Sequence, residues 1–128
     1  MQIKTHNKID QGLCGKPIEL EDGFCRVELV PTAAMAADDT GLVHGGFIFG
    51  LADYAAMLAV NHPNVVLGAA EVKFMKPVAV GERVVAEADI ERRKDGKATV
   101  QVSVLRDKQE VFSGTFTCFT LEQHVLKK

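Results

Sequence analysis

The chain has 128 residues, 47% of them hydrophobic and 25% charged, with a formal net charge of -2. That is the size and composition of one ordinary globular domain that buries a core without staples, and its charge balance gives no reason to expect nucleic acid as a partner. Three widely spaced cysteines, Cys14, Cys25 and Cys118, form no CxxC pair, which fits reduced thiols in a cytoplasm better than a disulfide framework or a zinc site.

In chain order, Met1 to Lys8 has no apolar run behind it, so it is not expected to be a signal peptide. Residues 1–22 are polar and broken by Gly12, Gly15 and Pro17; they predict an N-terminal extension with at most one short helix. A strand follows the Asp22-Gly23 turn, with Cys25, Val27 and Leu29 on one face, Arg26 and Glu28 on the other, and Pro31 ending it. A loop rich in Ala, Asp and Gly then leads to the stretch from His44 to Val60. After Gly45 and Gly46 this stretch is apolar on every side, and Asp53 is its only ionisable group. A helix without a polar stripe is a buried one, and this one is too short to span a membrane, which takes about 20 apolar residues.

Asn61, His62, Pro63 and Asn64 stop the helix. Val65 to about Met75 reads as an apolar strand closed by Lys76-Pro77, and Val84 to Ile90 alternates as the next. The Lys94-Asp95-Gly96-Lys97 run signals a tight hairpin into a strand carrying Ala98, Val100, Val102 and Val104. A turn near Asp107-Lys108 leads to a last strand, about Glu110 to Leu121. Successive hairpins make these strands antiparallel, and a small sheet covers a buried helix only by curling around it. The prediction for residues 1–128 is therefore a single α+β domain: a curved antiparallel sheet of about five strands around one central helix, with residues 1–22 as an extension.

The chemistry concentrates at the start and middle of that helix. The first N–H groups of a helix lack intrahelical partners and carry the positive end of its dipole. Gly45 and Gly46 would let a substrate oxygen approach them, though two glycines equally suit a sharp turn into a packed helix. A carboxylate in apolar surroundings is costly and rises in pKa, which suits a base or nucleophile, so Asp53 is read as functional rather than structural. Asp53 lies eight residues beyond Gly45, about 12 Å along the axis, whereas two groups acting on one carbonyl must each come within about 3–3.5 Å of it. One chain cannot supply both. If both act, Asp53 comes from a second, roughly antiparallel helix of a twofold dimer. The strand around Ala69 to Met75 is the edge expected to pair in such a dimer. His44 is a candidate general base, with a loop-holding hydrogen bond as its commoner role.

His44-Gly45-Gly46 followed by Leu51-Ala52-Asp53 resembles the signature of the hotdog-fold acyl-CoA thioesterases, nearest the phenylacetate-pathway branch, and Phe74-x-x-Pro77-x-x-x-Gly81-Glu82-x-Val84 is similar to that family's next strand and turn. The likeness runs from about Asp22 to Leu121. It implies hydrolysis of an acyl-CoA, with the Gly45 N–H polarising the thioester carbonyl and Asp53 of the facing subunit attacking it or activating a water. Gly46, Asp38, Tyr54, Phe74 and Lys76 become candidate substrate-binding residues. Two of these depart from the family's pattern, which often has Asn at position 38 and Thr or Ser at position 54. Coenzyme A phosphates need basic groups, which Lys73, Lys76, Arg83, Arg92, Arg93, Lys94 and Lys97 could supply. Self-association as a dimer or tetramer is expected; no cofactor, metal, nucleic acid or membrane is. The alternatives are an acyl-carrier-protein thioesterase, a hotdog-fold hydratase, which would use a different loop motif, and a non-catalytic acyl-CoA sensor. Regulators of the last kind carry an N-terminal helix-turn-helix, which residues 1–22 do not supply.

Overall fold

The computed structural model describes residues 1–127. A four-residue helix α1 (Gln11–Cys14) precedes strands β1 (Lys16–Glu21) and β2 (Phe24–Leu29), and a 3₁₀ turn at Ala33–Met35 leads to helix α2 (Gly45–Val60). Strands β3 (Val65–Phe74), β4 (Val84–Lys94), β5 (Lys97–Arg106) and β6 (Gln109–Thr120) follow. All pair antiparallel in one sheet of order β1-β2-β4-β5-β6-β3, and α2 packs against its inner face.

Local signals explain most of these boundaries. His44 caps α2: its Nδ1 accepts from the Gly46 N–H at 2.9 Å. Asn61 closes the helix in the left-handed conformation (φ 51, ψ 46), its N–H donating to the Met57 carbonyl at 2.8 Å, a position that asparagine tolerates better than most residues. Asp95 and Gly96 both have positive φ (51 and 75) in the β4–β5 hairpin, as a two-residue hairpin turn requires. Val27, Leu51, Val84, Val100, Val104 and Phe112 are fully buried between sheet and helix.

Two expectations change. The N-terminal residues hold a strand as well as a short helix, which makes the sheet six-stranded. β1 is an edge strand, half-exposed along its length, with Pro17 beside a bulge; an edge is where proline is tolerated and where alternation fades. The second change concerns α2, whose residues from Leu51 to Ala59 are buried apart from Asp53 while Gly46 is exposed and Gly50 and Asp53 are half-exposed. A Cβ added to Gly50 would meet nothing within 4 Å. One strip of the helix is therefore left bare by its own chain.

Candidate active site at the start and middle of α2

The Gly45 N–H, first in the helix, has no hydrogen-bond partner among the described residues. It opens on a cavity of about 290 Å³ lined by Gly45, Ile48, Phe74, Lys76, Val78 and Val111, among others. The Phe74 ring is held edge-on to Phe112 (centroids 5.1 Å apart, 77° between planes) and lies so close to Gly45 that a Cβ there would sit 3.1 Å from Phe74 Cε1. A side chain at 45 is thus crowded by the Phe74 ring, not opposed by a left-handed backbone. The loop reaching the site is tied in place by bonds from the Val43 N–H to the Val78 carbonyl and from the His44 N–H to the Met35 carbonyl, both 2.9 Å.

His44 is exposed and uses Nδ1 as the helix cap. That is the loop-holding role, and it leaves Nε2 pointing away from the capped turn. Gly46 is spanned by this cap: a Cβ on it would lie 2.8 Å from His44 Nδ1.

Asp53 lies further along α2, beside α1. Its Oδ1 is buried and has no hydrogen-bond partner among the described residues. Burial pushes its carboxyl up to about 6, because removing water disfavours the charged form and nothing opposite in charge compensates. Its neighbours include Cys14 and Cys118, whose thiols are raised chiefly by burial and partly by the Asp53 charge, Cys118 to about 12. Cys25 is also pushed up to about 12 by burial. Thiols held so high are poor nucleophiles, in keeping with their reading as core residues.

The remaining candidates divide. Phe74 and Lys76 share the cavity with Gly45. Tyr54 does not: nine positions from Gly45 puts it on the opposite helix face, 3% exposed, its hydroxyl 3.5 Å from Gln11 Nε2. Asp38 sits in an exposed loop, where hydrogen bonds from the Thr40 hydroxyl and N–H hold its carboxyl below the usual range. It does not line the cavity. Sequence reasoning missed Met75 and Val111 in the wall and Cys14 beside Asp53; only strand register and the packing of α1 bring them there. Among the described residues no cluster of three or more His, Cys, Asp or Glu side chains could hold a metal ion, and no helix is long and apolar enough to cross a membrane.

A family model described as the thioesterase superfamily matches residues 40–113. Among solved structures, an uncharacterized protein, PH1136, from Pyrococcus horikoshii is similar over 99% of this chain and 98% of its own (51% identity, TM-score 0.98). A mutant of the phenylacetic acid degradation protein PaaI from Thermus thermophilus is similar over 87% and 96% (31% identity, TM-score 0.80). Among curated relatives, a methylthioribose-1-phosphate isomerase of Aquifex aeolicus is 50% identical over 95% of this chain but 27% of its own length. The transcription factor FapR of Caldanaerobacter subterraneus subsp. tengcongensis is 35% identical over 89% of this chain and 58% of its own. The chain thus spans between a quarter and three fifths of these two curated relatives.

Proposed function

The chain belongs to the thioesterase superfamily, with its hotdog fold, and from that premise we propose that it hydrolyses an acyl-CoA thioester to the free acid and CoA. The observation that carries this reading is the Asp53 carboxyl, whose buried Oδ1 has no hydrogen-bond partner among the described residues, on the same helix as a Gly45 N–H that likewise has none there. The Gly45 N–H receives the thioester carbonyl oxygen and stabilises the negative charge it gains as the carbon becomes tetrahedral. Asp53 of the partner subunit takes a proton from a water that attacks that carbon, or attacks it directly to form an anhydride that water then opens. Either way the C–S bond breaks and the sulfur leaves as the CoA thiol. The apolar wall of Ile48, Phe74 and Val111 receives the acyl group, and Lys76 lies at the cavity for an anionic part of the substrate.

Two features support the partner's involvement. The strip of α2 holding Gly46, Gly50 and Asp53 is bare, and β3 ends the sheet with Gly68, Ala69 and Ala70 exposed. An unpaired edge strand is a template for another. The test is a panel of acyl-CoAs with release of free thiol as readout, run beside sedimentation. Turnover by a dimer or larger species is expected; a fully active monomer overturns the trans arrangement.

A second reading, acyl-CoA binding without hydrolysis, is favoured by the likeness to FapR, a transcription factor. It predicts saturable acyl-CoA binding with no thiol release across the whole panel.

A further inference from the structure

A second cavity, of about 520 Å³, lies at the hairpin between β4 and β5 and is lined by Arg92, Lys94, Asp95, Lys97, Thr99 and Phe119. It is separate from the Gly45 cavity. Val111, in the wall of that cavity, and Phe119 are eight residues apart on β6, about 27 Å at the strand rise. Phe112, Phe116 and Cys118 face the core, so Phe119, next to Cys118, faces outward from the sheet.

Charge, shape and size each point to a ligand. Arg26, Arg83, Arg93 and Arg106 are each paired with a carboxylate, whereas Arg92, Lys94 and Lys97 have no ion-pair partner among the described residues. Three free cations thus converge on a cleft whose wall holds one carboxylate, Asp95, fixed in the turn. The aromatic wall is rigidly seated. Gly68 lies under the Phe119 ring, where a Cβ would fall 2.2 Å from Cε2, beside the β3 bulge between Leu67 and Ala69. Glycine at 68 lets the ring lie on bare backbone and line the cleft. The volume falls within the roughly 300–1,000 Å³ of small-molecule sites.

We propose that this cleft binds a nucleoside phosphate, with the base stacked on Phe119 and the phosphate held by Arg92, Lys94 and Lys97. Arginine supplies a fork that matches phosphate oxygens, and a base stacks on an aromatic face whatever its identity. The three cations that line the cleft all belong to one hairpin, which suits a mononucleotide rather than a polynucleotide track. Two sources share this chemistry: a free nucleotide, or the nucleotide end of a CoA whose acyl group sits in another subunit. The second source rests on the acyl-CoA reading above; the first does not.

The test is calorimetric titration of the full chain with adenosine 3′,5′-bisphosphate at low ionic strength. One saturable site per chain is expected, weakening with added salt. Arg92→Gln should bind about tenfold more weakly, the scale of one charge-assisted hydrogen bond, and Phe119→Ala should show a similar loss. Arg26→Gln, which alters a cation paired with Glu19 and Glu87, should bind as wild type does. Competition by the bisphosphate against acyl-CoA but not against the same acyl group on pantetheine assigns the site to the substrate's handle; binding without competition assigns it to a free nucleotide. Absence of saturable binding, equal binding by Arg92→Gln, or tighter binding of a single-stranded oligonucleotide overturns the proposal. Nucleotide binding by a chain that releases no thiol sinks the hydrolase reading and leaves this cleft standing.

Discussion

The two halves of the candidate site stand on one helix and could hardly differ more in surroundings. At Gly45 the helix end is open, a backbone donor is free, and an exposed aromatic ring closes one side of a cavity. At Asp53 the residue is half-exposed, its Oδ1 is buried without a hydrogen-bond partner among the described residues, and burial pushes its carboxyl up to about 6. One half offers stabilisation for a negative charge and lacks a base; the other offers a base and lacks a cavity. A helix holds its residues at fixed separations, so within one chain the two cannot be brought together. On the proposed reading each half is completed from outside, by a second helix on the strip through Gly46, Gly50 and Asp53 that the chain itself leaves bare.

The sharpest way to break this comparison is Asp53→Asn, which keeps size and removes charge and basicity. Turnover should fall by at least about 10²-fold, the usual scale for a general base, while the dimer and substrate binding persist. Near-wild-type turnover by a well-folded variant ends the proposed mechanism. Next in size is Gly50→Leu. The chain alone has open space there, so the monomer should fold; a partner helix packed on the strip would be pushed off. Sedimentation should show dissociation, and activity should go with it. An active Gly50→Leu dimer means that the helices do not meet at this strip. Gly45→Ala should be milder. The added methyl crowds Phe74 Cε1 at 3.1 Å and displaces the carbonyl pocket by a few tenths of an ångström, for a loss of about tenfold in kcat/KM with little change in melting temperature. Combining it with Phe74→Ala should relieve the crowding, and failure to recover activity would locate the effect elsewhere.

The smallest effect is on stability, and its sign is diagnostic. The Asp53 carboxyl titrates near 3.8 when unfolded and about 6 when folded, so the folded chain holds the proton more tightly. That contribution is fully present below the unfolded value and is lost as pH rises through about 6. Above it the ionised carboxylate costs on the order of 3 kcal/mol. Asp53→Asn should therefore melt higher than wild type near pH 8, with the difference vanishing near pH 4. Turnover of the wild type should show an acid limb near pH 6 from the same group. A variant that melts lower at pH 8 means that the carboxylate has a stabilising partner in the assembled protein, and the contrast between the two halves narrows accordingly.

What the sequence by itself determined was whatever depends on neighbouring residues. The helix start after His44, the stop at Asn61, the Asp95-Gly96 turn and the alternation of Val84 to Ile90 and Ala98 to Val104 are short-range features, and each stands where the pattern places it. The fixed spacing of Gly45 and Asp53 belongs with them, because helical rise is the same in any surroundings. Tertiary structure decided the rest. β1 was illegible because an exposed edge strand with a proline buries no alternate face. The bare strip on α2 was hidden because an all-apolar helix carries no mark of which side its own chain leaves open. Phe74 reaches Gly45, and Phe119 reaches Gly68 and the Arg92 cleft, only through strand register across the sheet. Tyr54 does not line the Gly45 cavity, since one step along the helix from Asp53 turns it about 100° and into the core.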